Sequence, residues 1–134
     1  MKHQLFEITQ NAVLKNSLGN VLILRHVTGK WLLPGGKINL GEMWLEGLRR
    51  ELREELSISD FQIIKILDVD SWIEKDLGYG VITYLIKTSN ESIIKLSDEH
   101  KEYTWVQPKD LENYDFWNPK IKERIKKAFR LSLD

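Results

Sequence analysis

Three glutamates and two arginines sit within the string Arg50-Glu51-Leu52-Arg53-Glu54-Glu55-Leu56. On a helix advancing about 100° per residue, Glu51, Glu54 and Glu55 fall within one arc of about 100°, beside a leucine stripe rather than on it. Like charges at three- and four-residue spacing cost a few tenths of a kcal/mol each, and Arg50, four positions before Glu54, offsets only part of that. A hard divalent cation is the natural counter-charge, because Mg²⁺ and Mn²⁺ prefer oxygen ligands and leave coordination positions for water and phosphate. A phosphate-bearing substrate follows as an expectation. The competing reading is a solvated helix face, since Glu and Arg are strong helix formers in any setting.

Upstream, Gly35 and Gly36 follow Pro34 and permit a tight loop whose backbone can approach a phosphate or a metal. Glu42 is expected to close this loop onto a helix N-terminus, where the dipole favours a carboxylate. Downstream, Asp98, Glu99 and Glu102 lie in a polar stretch, and His100 among them is a poor ligand for Mg²⁺. Five tryptophans stand at positions 31, 44, 72, 105 and 117. Trp105 fits a core strand, whereas Trp31, Trp44 and Trp72 are placed to cover a nucleobase by stacking.

Leu45, Leu48, Leu52 and Leu56 recur at helical spacing, so a helix is expected over 44–56. Before it, strand-forming residues at 6–14 and 21–24 flank Lys15-Asn16-Ser17-Leu18-Gly19-Asn20, which predicts a hairpin. A short strand at 31–33 should stop at Pro34-Gly35-Gly36. Further strands are expected at 61–69, 79–87 and 102–106, with a loop holding Asp76 and Gly78 between the first two, and a helical turn opens at Pro108. Asn118 as N-cap and Pro119 at the first helical position start a last helix, with Ile121, Ile125, Ala128 and Phe129 on one stripe. Its other face carries Lys120, Lys122, Arg124, Lys126, Lys127 and Arg130, read as a solvated face more readily than as a phosphate patch. The order of elements predicts an α/β or α+β sandwich with helices packed on a mixed sheet.

The 134 residues make one domain, 1–134, the default expectation. The absence of cysteine excludes disulfide frameworks, thiolate metal sites and thiol nucleophiles. Twenty basic against twenty acidic residues leave no net charge to attract a nucleic-acid backbone or an anionic membrane in bulk. No segment is apolar enough to read as a signal or a membrane span, so a cytoplasmic protein is expected. A homodimer is left open.

Residues 36–58 resemble the Nudix box: Gly36, Glu42, Arg50, Glu51, Leu52, Glu54, Glu55 and Ile58 stand at its required places, and Ser57 alone replaces a glycine. Six fixed identities in register arise by chance on the order of once in ten million starts. Trp31-Leu32-Leu33-Pro34-Gly35-Gly36 is similar to the family's lead-in, and Glu102-Tyr103-Thr104-Trp105-Val106 with Asp110-Leu111 to its late strand and turn. The resemblance implies a Nudix fold, an α/β/α sandwich. It implies a pyrophosphohydrolase that uses Mg²⁺ or Mn²⁺ to cleave a nucleoside diphosphate linked to another group, a nucleoside triphosphate or a nucleotide sugar, with a nucleotide-binding module lacking turnover as the alternative. On the matching positions it implies Glu51 and Glu55 as metal ligands, Glu54 as a further ligand or base, and Arg50 as the residue orienting them. Gly35, Gly36 and Trp31 would bind substrate. A late-loop carboxylate, Glu102 first and Glu99 second, would complete the set. At Ser57 a left-handed backbone would cost about 1 kcal/mol.

Overall fold

The structure is a computed structural model that describes residues 2–88 and 94–133. Its strands are β1 (Phe6–Leu14), β2 (Val21–His26), β3 (Trp31–Leu32), β4 (Gly35–Lys37), β5 (Gln62–Glu74), β6 (Leu77–Lys87) and β7 (His100–Val106). The helices are α1 (Trp44–Leu56) and α2 (Pro119–Phe129), with a 3₁₀ turn at Pro108–Asn113. A four-stranded sheet runs β4-β1-β6-β5 and a three-stranded sheet β3-β2-β7. The first is mixed, because β1 pairs parallel with β6 and antiparallel with β4.

Strand alternation explains why both helices are needed. Ala12 and Leu14 of β1 and Leu22 and Leu24 of β2 join Leu48, Leu52 and Leu56 of α1 in one buried cluster. Val13, Val21 and Ile23, the intervening residues, join Ile121, Ile125 and Ala128 of α2 in another. Both faces of these strands are apolar and both are covered, which makes the α/β/α sandwich expected for a Nudix fold.

The expected hairpin does not form. β1 and β2 lie in different sheets, joined near their ends by a single bridge between Lys15 and Val21. The turn chemistry is real, for Asn16 Oδ1 accepts from the Leu18 and Asn20 N–H groups at 3.1 and 2.9 Å. Both edges of β1 are taken by β4 and β6, however, so the turn carries the chain from one sheet to the other. Gly35 and Gly36, expected in a tight loop, open β4 instead. Gly35, at φ 149°, lies so close to β1 that a Cβ would strike the Gln10 carbonyl oxygen. β5 and β6 also run on past the expected ends, leaving a two-residue turn at Lys75-Asp76 and placing Gly78 inside β6.

α1 spans the expected residues, and Ser57 ends it at φ 59° and ψ 31°. The Ser57 N–H donates to Arg53 O at 3.0 Å and the Ile58 N–H to Leu52 O at 3.3 Å, the pattern that a left-handed cap serves. Serine therefore takes the glycine conformation and bears its strain. α2 begins as read, with Asn118 Oδ1 accepting from the Ile121 N–H at 3.2 Å. Its basic face is largely at the surface, as read, with Lys120, Lys127 and Arg130 exposed; Arg124 alone is drawn in, 6% exposed and donating to Asp68 at 3.3 Å, while Lys120 meets Asp70 and Lys122 meets Glu112 at 2.9 Å.

Candidate active site

α1 and β4 build the acidic site. Arg50 is its hub: Nε and Nη2 grip the two oxygens of Glu42 at 2.6 and 3.0 Å. Nη1 donates to Glu51 at 2.8 Å and to Glu54 at 3.2 Å, and Nη2 also reaches the Lys37 carbonyl at 3.0 Å. This fork ties the loop after β4 to the helix, as charge-assisted bidentate pairs do. It holds the Glu42 carboxyl below the usual carboxylate range, helped by the Asn39 N–H. The same partners hold the Arg50 guanidinium well above its own ordinary value.

Glu51 lies against Gly36, where an added Cβ would fall on its carboxylate. That contact gives Gly36 a purpose beyond turning the chain. Glu55 is 8% exposed and accepts the Gly35 N–H at 2.9 Å. Burial pushes its carboxyl up to about 8, with the nearby charges of Glu51, Glu99 and Glu54 adding to the rise and the Gly35 N–H opposing it. Burial likewise raises Glu51, against the pull of Arg50. A buried carboxylate without a counter-charge behaves this way.

Glu51, Glu54, Glu55 and Glu99 line one cavity of about 580 Å³ together with Gly35, Gly36, Lys37, Asn39 and Ser97. Among the described residues, no three carboxylate or imidazole side chains yet close around one point. Arg50 draws Glu51 and Glu54 to one side, and Gly35 holds Glu55. The donor set itself is all oxygen and anionic, and among the described residues no basic side chain pairs with the buried Glu55, so its chemistry fits a hard divalent metal.

A second cavity of about 610 Å³ opens from the first, sharing Gly35, Gly36, Glu55 and Glu99 with it. Its walls include Trp72 of β5, Trp117, His26 of β2, and Lys120 and Arg124 of α2. Trp72 stacks on Tyr79 at 5.7 Å, and Trp117 meets the His26 ring edge-on at 5.2 Å. The inner wall includes His100, 8% exposed, whose imidazole burial holds below its usual range.

The structure redistributes the expected site. Arg50, Glu51, Glu54, Glu55, Gly35 and Gly36 are brought together, and Glu99 joins them. Glu102 does not: β7 begins at His100, so Glu102 projects from a strand and pairs with Arg25 of β2 at 3.0 Å. Trp31 lies outside both cavities, its ring edge-on to Tyr114 at 5.1 Å. Trp44 stacks on Tyr84 at 5.7 Å, on the α1 side of the sheet. Trp117 was missed as a wall residue, although its place just before the Asn118-Pro119 helix start sets it at a cavity rim.

The buried carboxylates give the metal-free protein a signed pH dependence. Between pH 4.5 and about 8 the folded protein holds a proton on Glu55 that the unfolded chain has released. Stability is therefore greatest below the unfolded value and is lost as pH rises toward the folded one. The thermal midpoint of protein treated with chelator should fall from pH 5 to pH 8, and excess Mg²⁺ should abolish the fall. A midpoint that rises with pH in chelator would show that Glu55 carries its charge in the fold.

The NUDIX domain family model matches residues 6–128. Nucleoside triphosphatase NudI of Escherichia coli O139:H28 is 30% identical over 100 residues, covering 65% of this chain and 68% of that protein. Among solved structures, the MutT protein of Methanosarcina mazei Go1 superposes at a TM-score of 0.75, with 26% identity and 97% of each chain covered. A C. elegans Ap4A hydrolase shares the fold at a TM-score of 0.74 and 21% identity, over 90% of this chain and 93% of its own. Among the described residues no helix is long and apolar enough to cross a membrane. With the family match spanning both sheets and both helices, and the box residues gathered at one cavity, the chain belongs to the Nudix family, as a hydrolase acting on phosphoric anhydride bonds.

Proposed function

We propose that this protein is a metal-dependent nucleoside triphosphate pyrophosphohydrolase using Mg²⁺ or Mn²⁺. One observation carries the reading: the acidic cavity and the aromatic cavity meet at Gly35, Gly36, Glu55 and Glu99. A ligand with a flat apolar end and an anionic end fits that pairing, and the nucleoside triphosphatase name of the E. coli relative supports it. The substrate would be a small cytoplasmic nucleotide.

Glu51 and Glu55 would hold the cation, with Glu54 and Glu99 at its margin. A cation held there neutralises phosphate charge and makes a bound water more acidic. The chain's own residues do the rest. Arg50 fixes the helix carboxylates to the loop, Gly35 and Gly36 let backbone approach the phosphates, and Trp72 and Trp117 offer rings for the base. Glu99, facing both cavities from a short turn, is the leading candidate to take the proton of the attacking water, with Glu54 as the alternative within the helix.

The test is a panel of nucleoside triphosphates, nucleotide sugars and dinucleoside polyphosphates with Mg²⁺ or Mn²⁺. Nucleoside monophosphate and pyrophosphate should appear from triphosphates. No metal-dependent release from any member would overturn the reading and favour a binding module. Within the assay, Glu99→Gln should lower turnover by roughly 100-fold. Glu102→Gln, which only loses an exposed ion pair, should change it less than about threefold.

A further inference from the structure

The second face of the four-stranded sheet is only half covered by α1. Strand register assigns the residues: Tyr84 and Ile82 of β6 lie beneath α1 and are packed in its cluster, so their cross-strand partners Ile66 and Val69 of β5 share that face. By alternation Ile73 does too, beside Gly78 of β6 and Phe6 of β1. Charge is distributed against ordinary expectation. Asp68 and Asp70 point toward α2, where Arg124 and Lys120 meet them, while the uncovered side of β5 presents Ile66, Val69 and Ile73 at 54, 66 and 57% exposure.

The shelf is smooth as well as apolar. The Phe6 ring covers Gly78 and Ile8 covers Gly80, each so closely that an added Cβ would collide. Trp44 stacks on Tyr84, the cross-strand partner of Ile66, and so brings the start of α1 and the loop after β4 up as a ridge beside the shelf. It exposes Leu40 fully, Met43 at 68% and Trp44 at 47%.

We propose that this face is the interface of a homodimer, with the Leu40-Met43-Trp44 ridge of one copy seated on the Ile66-Val69-Ile73 shelf of the other. A two-fold axis repeats the contact, which makes a ridge beside a shelf self-complementary. Among the described residues, that face of β5 from Ile66 to Ile73 carries only Ile66, Val69, Ser71 and Ile73, so seating the apolar ridge on it buries no charge of the shelf. Ridge, shelf and Phe6 together leave roughly 900 Å² exposed, on the order of the ~800 Å² each partner of a stable interface buries. Apolar patches of this extent mark association sites. The ridge belongs to the loop whose Glu42 anchors Arg50, so the dimer would also steady the acidic site.

Sedimentation velocity from about 1 to about 100 µM tests the proposal. Wild type should sediment as a dimer at the upper end. Val69→Lys and Ile73→Glu should each remain monomeric there with an unchanged far-ultraviolet circular dichroism spectrum, and Leu40→Asp should weaken association at least tenfold from the ridge side. A wild type that stays monomeric throughout overturns the interface. So does a dimer whose dissociation constant neither shelf variant changes.

Discussion

Replacing Glu55 with glutamine is expected to lower metal-dependent turnover by about 100-fold or more, a barrier increase of roughly 3 kcal/mol. The same substitution should make the metal-free protein more stable at pH 8. Both effects come from one placement. The carboxyl is buried on the Gly35 N–H among three other glutamates, where burial pushes it up to about 8. Glutamine keeps the hydrogen bond to Gly35 and removes the charge that the fold disfavours. A higher midpoint in chelator with lost turnover identifies a side chain kept for chemistry at the expense of stability. Near wild-type turnover at saturating Mg²⁺ would remove Glu55 from the ligand set.

Arg50→Ala should be the most damaging change at the site to structure. The guanidinium is 17% exposed and serves Glu42, Glu51, Glu54 and the Lys37 carbonyl at once. Its loss leaves three carboxylates facing one another and frees the loop from α1, so the thermal midpoint should fall by about 5–10 °C. Lysine should not rescue it, because an ammonium cannot form the fork to Glu42. Excess Mg²⁺ should recover part of the loss by standing in for the missing charge beside Glu51 and Glu54. A variant with an unchanged midpoint would reduce the fork to an incidental surface contact.

What sequence reading recovered is uneven for a physical reason. α1 was legible end to end because Leu48, Leu52 and Leu56 repeat at the helical period and the carboxylates keep a fixed spacing to them. The pairing of strands was not, since adjacency in the chain made β1 and β2 look like a hairpin while burial on both faces of each demanded two central strands. Local pattern also failed at the late carboxylate. Starting β7 at His100 rather than two residues later turns Glu102 toward Arg25 and leaves Glu99 on the turn that reaches the cavity. Trp31, expected at the cleft, packs on Tyr114, and Trp117, given no role, lines the cavity, because a cavity wall is assembled from elements far apart in sequence.

The parallel pairing of β1 with β6 has a consequence for how the chain reaches this state. Phe6 lies opposite Gly78 and Leu14 opposite Ile86, so the first strand of the sheet finds its long partner only after β2 to β5 have been made. The β5–β6 hairpin can close within microseconds about its two-residue turn, whereas β1 must then insert between β4 and β6 against a large loop-closure entropy. Until it does, Ala12, Val13 and Leu14 have neither helix to cover them. Refolding should therefore be limited by the arrival of β1, and during synthesis this apolar segment waits longest in the open, making it the stretch a chaperone would meet first.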